Sequence, residues 1–152
     1  MKLSQRGLDL IKRFEGLQLK SYQDIVGDWS VGYGHTGKEV VPDMTIDQPT
    51  AEALLKQDTV EAERAVEYYV RVPLNQNQFD ALVSFVFNVG LGRKGVKDGF
   101  VTLKSGKPST IRTKLNQGDY AGTSAEFEKW TNGGVVGLKV RRKFERQLFE
   151  EK

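Results

Sequence analysis

The sequence contains no cysteine, which excludes disulfides, thiolate metal sites and a cysteine nucleophile. It contains one histidine, His35, so a metal site built from several imidazoles is excluded as well. A serine-histidine triad would have to use that residue, and no G-x-S-x-G elbow accompanies it. No apolar run approaches the roughly 20 residues that span a bilayer. The N-terminal stretch MKLSQRGLDLIKRFEG is amphipathic, with neither the apolar core nor the cleavage site of a signal peptide. The expectation is a chain without its own export signal and without stable membrane insertion. Internal repeats and low-complexity linkers are also lacking, which excludes solenoids and linker-joined modules.

What remains is an ordinary globular composition. Of 152 residues, 38% are hydrophobic and 28% charged, a mixture that builds a packed core of one domain or of two small lobes. Lys and Arg exceed Asp and Glu by 23 to 20, a net charge of +3. This mild basicity assists the approach to any polyanion, nucleic acid or anionic cell wall, and selects none of them.

Periodicity divides the chain. Ser4 can cap a helix whose apolar face is Leu8, Leu10, Ile11 and Phe14, with Gly16 as its stop. From about Leu17 to Val41 the chain is rich in glycine, aromatics and alternating residues, the pattern of short antiparallel strands joined by turns. Thr45 with Gln48 makes a capping-box pattern, and apolar positions from Ala51 to Tyr69 predict one long helix. Asn75 with Gln78 makes a second capping box, before a strongly apolar helix that ends at Gly90. Residues 91–107 read as a loop with a small hairpin or irregular strand, and the stretch 93–109 either adds a small hairpin or, as the favoured reading, enlarges a surface loop. Helices are predicted near 110–115, 119–130 and 137–149, the last with Leu138, Phe144 and Leu148 inward. The fold class is α+β, predominantly helical, with a small antiparallel sheet and a long connecting helix.

Within the strand-rich segment, Glu15 ends the first helix, Asp24 follows in a turn, and Ser30 lies in the next strand. The spacing E-x8-D-x5-S is closed by Val-Gly-Tyr-Gly-His-Thr. A helix end, a turn and a strand folding back on each other can hold two carboxylates in different surroundings. Glycoside hydrolysis needs such a pair, one carboxylic acid to protonate the leaving oxygen and one carboxylate to activate water or face the cationic transition state. The chain has 20 acidic residues, so spacing alone leaves a pair of surface carboxylates as the alternative.

The segments Phe-Glu-Gly-Leu-Gln-Leu-Lys-Ser-Tyr-Gln-Asp and Trp-Ser-Val-Gly-Tyr-Gly-His-Thr-Gly resemble the active-site region of phage-type lysozymes, the muramidases of tailed-phage endolysins. Thr-Ala-Glu-Ala-Leu-Leu-Lys-Gln-Asp, Asn-Gln-Phe-Asp-Ala-Leu-Val-Ser-Phe-Val-Phe-Asn-Val-Gly and the closing Gly-Leu-Lys-Val-Arg-Arg-Lys-Phe-Glu-Arg continue the likeness, in order, over nearly the whole chain. The resemblance implies a single lysozyme-like catalytic domain of two lobes. The strand-rich lobe would cover about 15–45, and the helical lobe about 70–152 together with the N-terminal helix 4–15. It implies hydrolysis of the β-1,4 bond between N-acetylmuramic acid and N-acetylglucosamine in peptidoglycan glycan strands; no metal or cofactor is expected, and nothing in the sequence suggests more than a monomer. Glu15 would be the general acid and Asp24 the second carboxylate, in an inverting reaction whose water is oriented by Ser30, where the family usually has threonine. The implied site of action is the cell wall, reached from the host cytoplasm after another protein permeabilises the membrane.

The resemblance also implies a structural pair, His35 with Asp58, tying the hairpin to the long helix. Thr36, Phe87 and Asn88 are candidate sugar contacts, with core packing the alternative for Phe87 and helix capping for Asn88. Arg141 and Arg142 read as a solvated basic face or as support for a carboxylate or for the anionic peptide stem. A wall-binding module without catalysis, a lytic transglycosylase and a DNA-binding helical protein are the competing classes. The Ser30 change is the only support for the first, and retention of both Glu15 and Asp24 argues against it; Asp24 argues against the second, and the third leaves the segment from Glu15 to Gly37 unexplained.

Overall fold

A computed structural model describes residues 1–152. The order is α1 (Gln5–Glu15), β1 (Gln18–Gln23), β2 (Trp29–Gly32), β3 (His35–Thr36), α2 (Gln48–Asp58), α3 (Val60–Tyr69), α4 (Gln76–Val89), α5 (Thr110–Asn116), α6 (Tyr120–Glu126), a 3-10 turn (Phe127–Lys129) and α7 (Val136–Glu150). This is an α+β fold in which helices dominate. No helix is long and apolar enough to cross a membrane. The chain forms two compact units, one of Leu8–Val60 and one of Met1–Gly7 with Glu61–Lys152. The sequence reading grouped all of the first helix with the helical lobe, whereas this division runs through α1 after Gly7.

In the first unit, Leu8 and Ile11 bury the apolar stripe of α1, and Lys12 pairs with Glu52 of α2. The strands form one antiparallel sheet in the order β1-β2-β3. Tyr22 lies opposite Ser30 and Ser30 opposite Thr36, while Val31 lies opposite His35. Successive strand residues face opposite sides of a sheet, so Val31 and His35 share the inner face and Tyr22, Ser30 and Thr36 share the other. The inner face packs on α2, and Val31 is fully buried. Gly32 has φ +70, and a Cβ there would stand 3.3 Å from that of Ala51. This glycine serves both the turn and the close approach of α2.

Two details of the helices depart from the sequence expectation. Helix α2 is capped by Asp47, whose side chain accepts from the Thr50 amide, and not by Thr45; Thr45 is engaged in a bridge with Lys20 of β1, so tertiary pairing removes it from the cap. The long connecting helix is interrupted by one residue at Thr59. The Thr59 hydroxyl donates back to the Lys56 carbonyl at 3.0 Å, the local competition that loosens a helical ladder.

The helical unit is built on α4. Its capping box of Asn75 with Gln78 is formed, and Phe79, Leu82, Val83, Phe85 and Val86 are buried. Phe85 is the aromatic centre, with ring centroids 6.2 Å from Phe100, 5.3 Å from Phe127 and 5.5 Å from Trp130, all edge to face. Phe100 belongs to the 91–109 segment, which holds no strand beyond the isolated bridges Arg93–Lys97 and Thr102–Pro108. That segment does more than enlarge the surface, because Phe100 and Val101 are driven into the core.

Helix α7 packs on α4, and here the expected inward residues are incomplete. Leu148 is buried and Leu138 and Phe144 only half-buried, while Arg141, Arg142 and Glu145 are buried. The two arginines are therefore not a solvated face. Glu145 Oε2 accepts from Arg141 Nε at 3.2 Å, Arg142 Nη2 at 3.2 Å and the Ser84 hydroxyl at 2.6 Å, and Glu145 Oε1 forms an ion pair with Arg142 Nε at 2.6 Å. Arg142 also donates to the Asn88 side-chain oxygen at 2.9 Å and lies 5.1 Å from the Phe85 ring centroid. Removing one partner of such a cluster leaves buried charge uncompensated. Glu145→Ala is expected to lower unfolding free energy by about 3–5 kcal/mol in urea denaturation; a loss below about 1 kcal/mol would place the cluster at an effectively solvated surface.

Candidate active site

Gly16 ends α1 in the left-handed region at φ +72, its amide bonded to the Lys12 carbonyl at 3.1 Å. This terminates the helix one residue after Glu15 and leaves the half-buried Glu15 side chain at the helix end. The Glu15 carboxyl lies beside Gly34, in the turn between β2 and β3, where a Cβ would be 3.7 Å from Oε1. The helix end and the second hairpin turn are thereby brought together.

Asp24 opens the turn between β1 and β2. Its amide donates to the Asp28 carbonyl at 2.8 Å, and its own carbonyl accepts from the Gly27 amide at 3.0 Å. Oδ1 accepts two further backbone bonds, from Val26 at 3.0 Å and Asp28 at 2.8 Å, the Asx-turn arrangement. Gln23 Nε2 braces the loop on the Gly27 carbonyl at 3.0 Å, and Gly27 supplies the required φ of +90. One carboxylate oxygen is therefore spent on the turn, and the other makes no hydrogen bond within the protein.

Alternation continues through this register. Asp24 pairs with Asp28, two positions beyond the Tyr22–Ser30 pair, so Asp24 belongs to the same sheet face as Ser30 and is its diagonal cross-strand neighbour. Ser30 is 3% exposed, and its hydroxyl bonds to no protein group. Thr36, its partner on β3, is exposed. The local structure thus brings Asp24, Ser30 and Thr36 to one face, beside a hairpin turn that touches Glu15.

His35 points the other way. Its Nδ1 is 2.8 Å from Asp58 Oδ2, and its Nε2 is 2.5 Å from Glu39 Oε1. Asp58 closes α2, so the imidazole ties β3 to that helix. Burial lowers the tendency of His35 to protonate, but the hydrogen bonds to Glu39 and Asp58 outweigh it and the pKa is raised above 6.5. The hydrogen bond from His35 in turn holds the Glu39 carboxyl below its ordinary range. Glu39 was missed in the sequence; a carboxylate four positions from the only histidine was its sole signal. Phe87 and Asn88 lie in the helical unit, half-buried at the end of α4, and the Asn88 oxygen is engaged by Arg142.

Residues 12–145 match the Phage lysozyme family. The chain belongs to the phage lysozyme family. It is a glycoside hydrolase whose substrate is peptidoglycan, with the muramidase activity of an endolysin. It is 43% identical over 157 residues to an endolysin of Acyrthosiphon pisum secondary endosymbiont phage 1, covering 99% of both chains. It is also 43% identical over 154 residues to an endolysin of Bacillus phage B103, of which it spans 54%. Among solved structures, the muramidase domain of SpmX from Asticaccaulis excentricus superposes with a TM-score of 0.83 at 34% identity, covering 99% of each chain.

The histidine clamp has a testable pH dependence. A pKa raised on folding contributes stability that is fully present below the unfolded value, about 6.5, and is lost as pH rises through the folded value. His35→Asn is expected to lower Tm by about 5 °C near pH 5.5, with a smaller deficit near pH 9. Thermal unfolding of both proteins across pH checks this, and a deficit that grows with pH would refute the charged clamp.

Proposed function

We propose that Glu15 and Asp24 carry the hydrolysis and that Ser30 positions its water. Glu15 donates a proton to the glycosidic oxygen as the bond to the anomeric carbon breaks. A water held by the Ser30 hydroxyl gives its proton to Asp24 as it attacks, on the face of the sugar opposite the acid, with inversion. The observation that carries this reading is the placement of Asp24 and Ser30 as diagonal neighbours on one sheet face, with Asp24 Oδ1 clamped by two backbone amides. Clamping through one oxygen leaves the other to meet water without reorganisation. A nearly buried hydroxyl with no protein partner is satisfied by water, which suits Ser30 to this task.

The scissile bond is assigned to the β-1,4 linkage between N-acetylmuramic acid and N-acetylglucosamine. The chain is read as one catalytic domain, acting as a monomer without metal or cofactor on glycan strands and not on nucleic acid. Thr36 is assigned to sugar contact from the same sheet face. In the helical unit, Phe87 offers an apolar face to the glycan, and Asn88 retains amide N–H groups for a sugar while its oxygen holds Arg142. His35 and Asp58 are structural. The enzyme is read as made in the host cytoplasm and reaching the wall once another protein has permeabilised the membrane.

Glu15→Gln is expected to abolish wall clearing with the fold intact, because an amide cannot supply the proton, and Asp24→Asn to lower the rate by at least about a hundredfold. Circular dichroism and turbidity assays check both, and near wild-type clearing by either variant would remove that residue from the chemistry. Mass spectrometry of released muropeptides should show reducing N-acetylmuramic acid ends; anhydro products would replace hydrolysis with transglycosylation.

Ser30 allows a finer test. Ser30→Thr is expected to retain or raise the rate, since the added methyl restricts the rotamer at unchanged chemistry. Ser30→Ala should cost about tenfold or more in kcat with little change in KM, because the lost bond acts on the nucleophile and not on the bound sugar. Equal kcat for serine, alanine and threonine would show that the hydroxyl does not hold the water.

A further inference from the structure

We infer that Tyr22 is a specificity-determining residue of this enzyme, its ring packing against a pyranose of the glycan strand next to the scissile bond. The inference rests on the reading that Asp24 and Ser30 act at that bond, and it extends the site to a residue that neither the spacing of the carboxylates nor the catalytic chemistry singles out.

The register carries the argument. Tyr22 is directly opposite Ser30, and Ser30 is directly opposite Thr36, so three hydroxyl-bearing side chains stand in one row across the three strands, on the face away from α2. Asp24 lies two residues beyond Tyr22 on that same face. The middle member of the row is nearly buried, whereas Tyr22 is 38% exposed and Thr36 is exposed. None of the three hydroxyls bonds to the protein. A tyrosine whose ring is used for the core ordinarily anchors its hydroxyl, and Tyr22, near the end of the edge strand β1, does not. Tyr22 lies outside the fully buried core, where Tyr33 is the aromatic of this unit.

An aromatic ring beside a row of hydroxyls matches the chemistry of a pyranose. The C–H bonds on one face of the sugar are weakly apolar and pack on the ring, while hydroxyl and acetamido groups around its edge take hydrogen bonds from polar tips. Tyr22 is held for this purpose by its neighbours. The turn that follows is closed through the Asp24 and Gly27 backbone and braced by Gln23, so the ring is presented from a strand whose end is fixed, with little ordering left to do on binding. The occupant is a glycan strand because the substrate of the family is peptidoglycan and because the row is continuous with Asp24 and Ser30.

The test separates ring from hydroxyl and binding from chemistry. Binding of purified, uncrosslinked wall glycan strands is measured by calorimetry on the folded Glu15→Gln protein, carrying in addition Tyr22→Phe, Tyr22→Leu or Tyr22→Ala. KM and kcat are measured for the same Tyr22 substitutions in the active enzyme. Loss of the aromatic face is expected to weaken binding and raise KM by about tenfold in the leucine and alanine variants, with phenylalanine within about threefold of tyrosine and kcat changed less than KM. Leucine and alanine variants that bind as tightly as tyrosine would overturn the inference. So would a binding loss that follows Tm across the three variants and ignores the ring, which would make Tyr22 a residue of the fold. Failure of the underlying reading is separately visible, because Asp24→Asn would then keep its rate whatever Tyr22 does.

Discussion

The sheet of the first unit packs one of its faces on α2, and His35 lies on that face. With Val31 and His35 turned toward α2, and the imidazole held between Asp58 and Glu39, every alternate residue must turn the opposite way. Ser30, Thr36 and Tyr22 are placed by that requirement, and Asp24 by its continuation into the turn. A slip of one residue in β2 would send Ser30 to the helix and take Val31 off it, which the packing of Val31 against α2 disfavours. In the proposed mechanism the histidine therefore shapes the site from the opposite face, where its two carboxylate partners hold it.

Around this constraint the backbone supplies rigidity at low cost in material. Three residues, 25–27, close the first hairpin, with a glycine where the chain must enter the left-handed region. The same few bonds that close the loop orient the Asp24 carboxylate, so folding the hairpin and preparing the carboxylate are one event. Gly16 and Gly34 act on Glu15 in a comparable way, the first by ending its helix and the second by leaving room beside its carboxyl. The helical unit solves a different problem. Its α4 is apolar enough to be buried nearly all round, and α7 meets it with an Arg–Arg–Glu cluster and not with a purely apolar stripe. Such a cluster holds α7 in a particular rotation, since sliding would leave three charges without partners.

Much of the fold was legible in the sequence. The first helix, the strand-rich segment, the Asn75–Gln78 cap and the order of the later helices follow from periodicity and caps, and the likeness of the motifs supplied the candidate residues of the proposed site. The Thr45 cap did not hold, because Thr45 pairs with Lys20 across the sheet and leaves the cap to Asp47. The break at Thr59 depends on a hydroxyl choosing a backbone acceptor over solvent, which no periodicity records. Arg141 and Arg142 read as a wet face because an isolated helix gives charge no reason to be inside; only Glu145, Ser84 and Asn88 converging on them provide one. Glu39 escaped notice because its partner is fixed by the fold.

Sequence alone determined which residues are candidates for the chemistry and which local structures carry them, since helix ends, hairpin turns and strand alternation are short-range properties of the chain. Tertiary structure decided which of those residues meet. That Glu15 stands beside Gly34, that Asp24 and Ser30 are diagonal neighbours with Tyr22 in the same row, and that His35 faces away from all of them depend on strand register and on packing against α2. These are set by the burial of Val31 and the clamp on His35, a balance among residues far apart in the chain that no local pattern encodes.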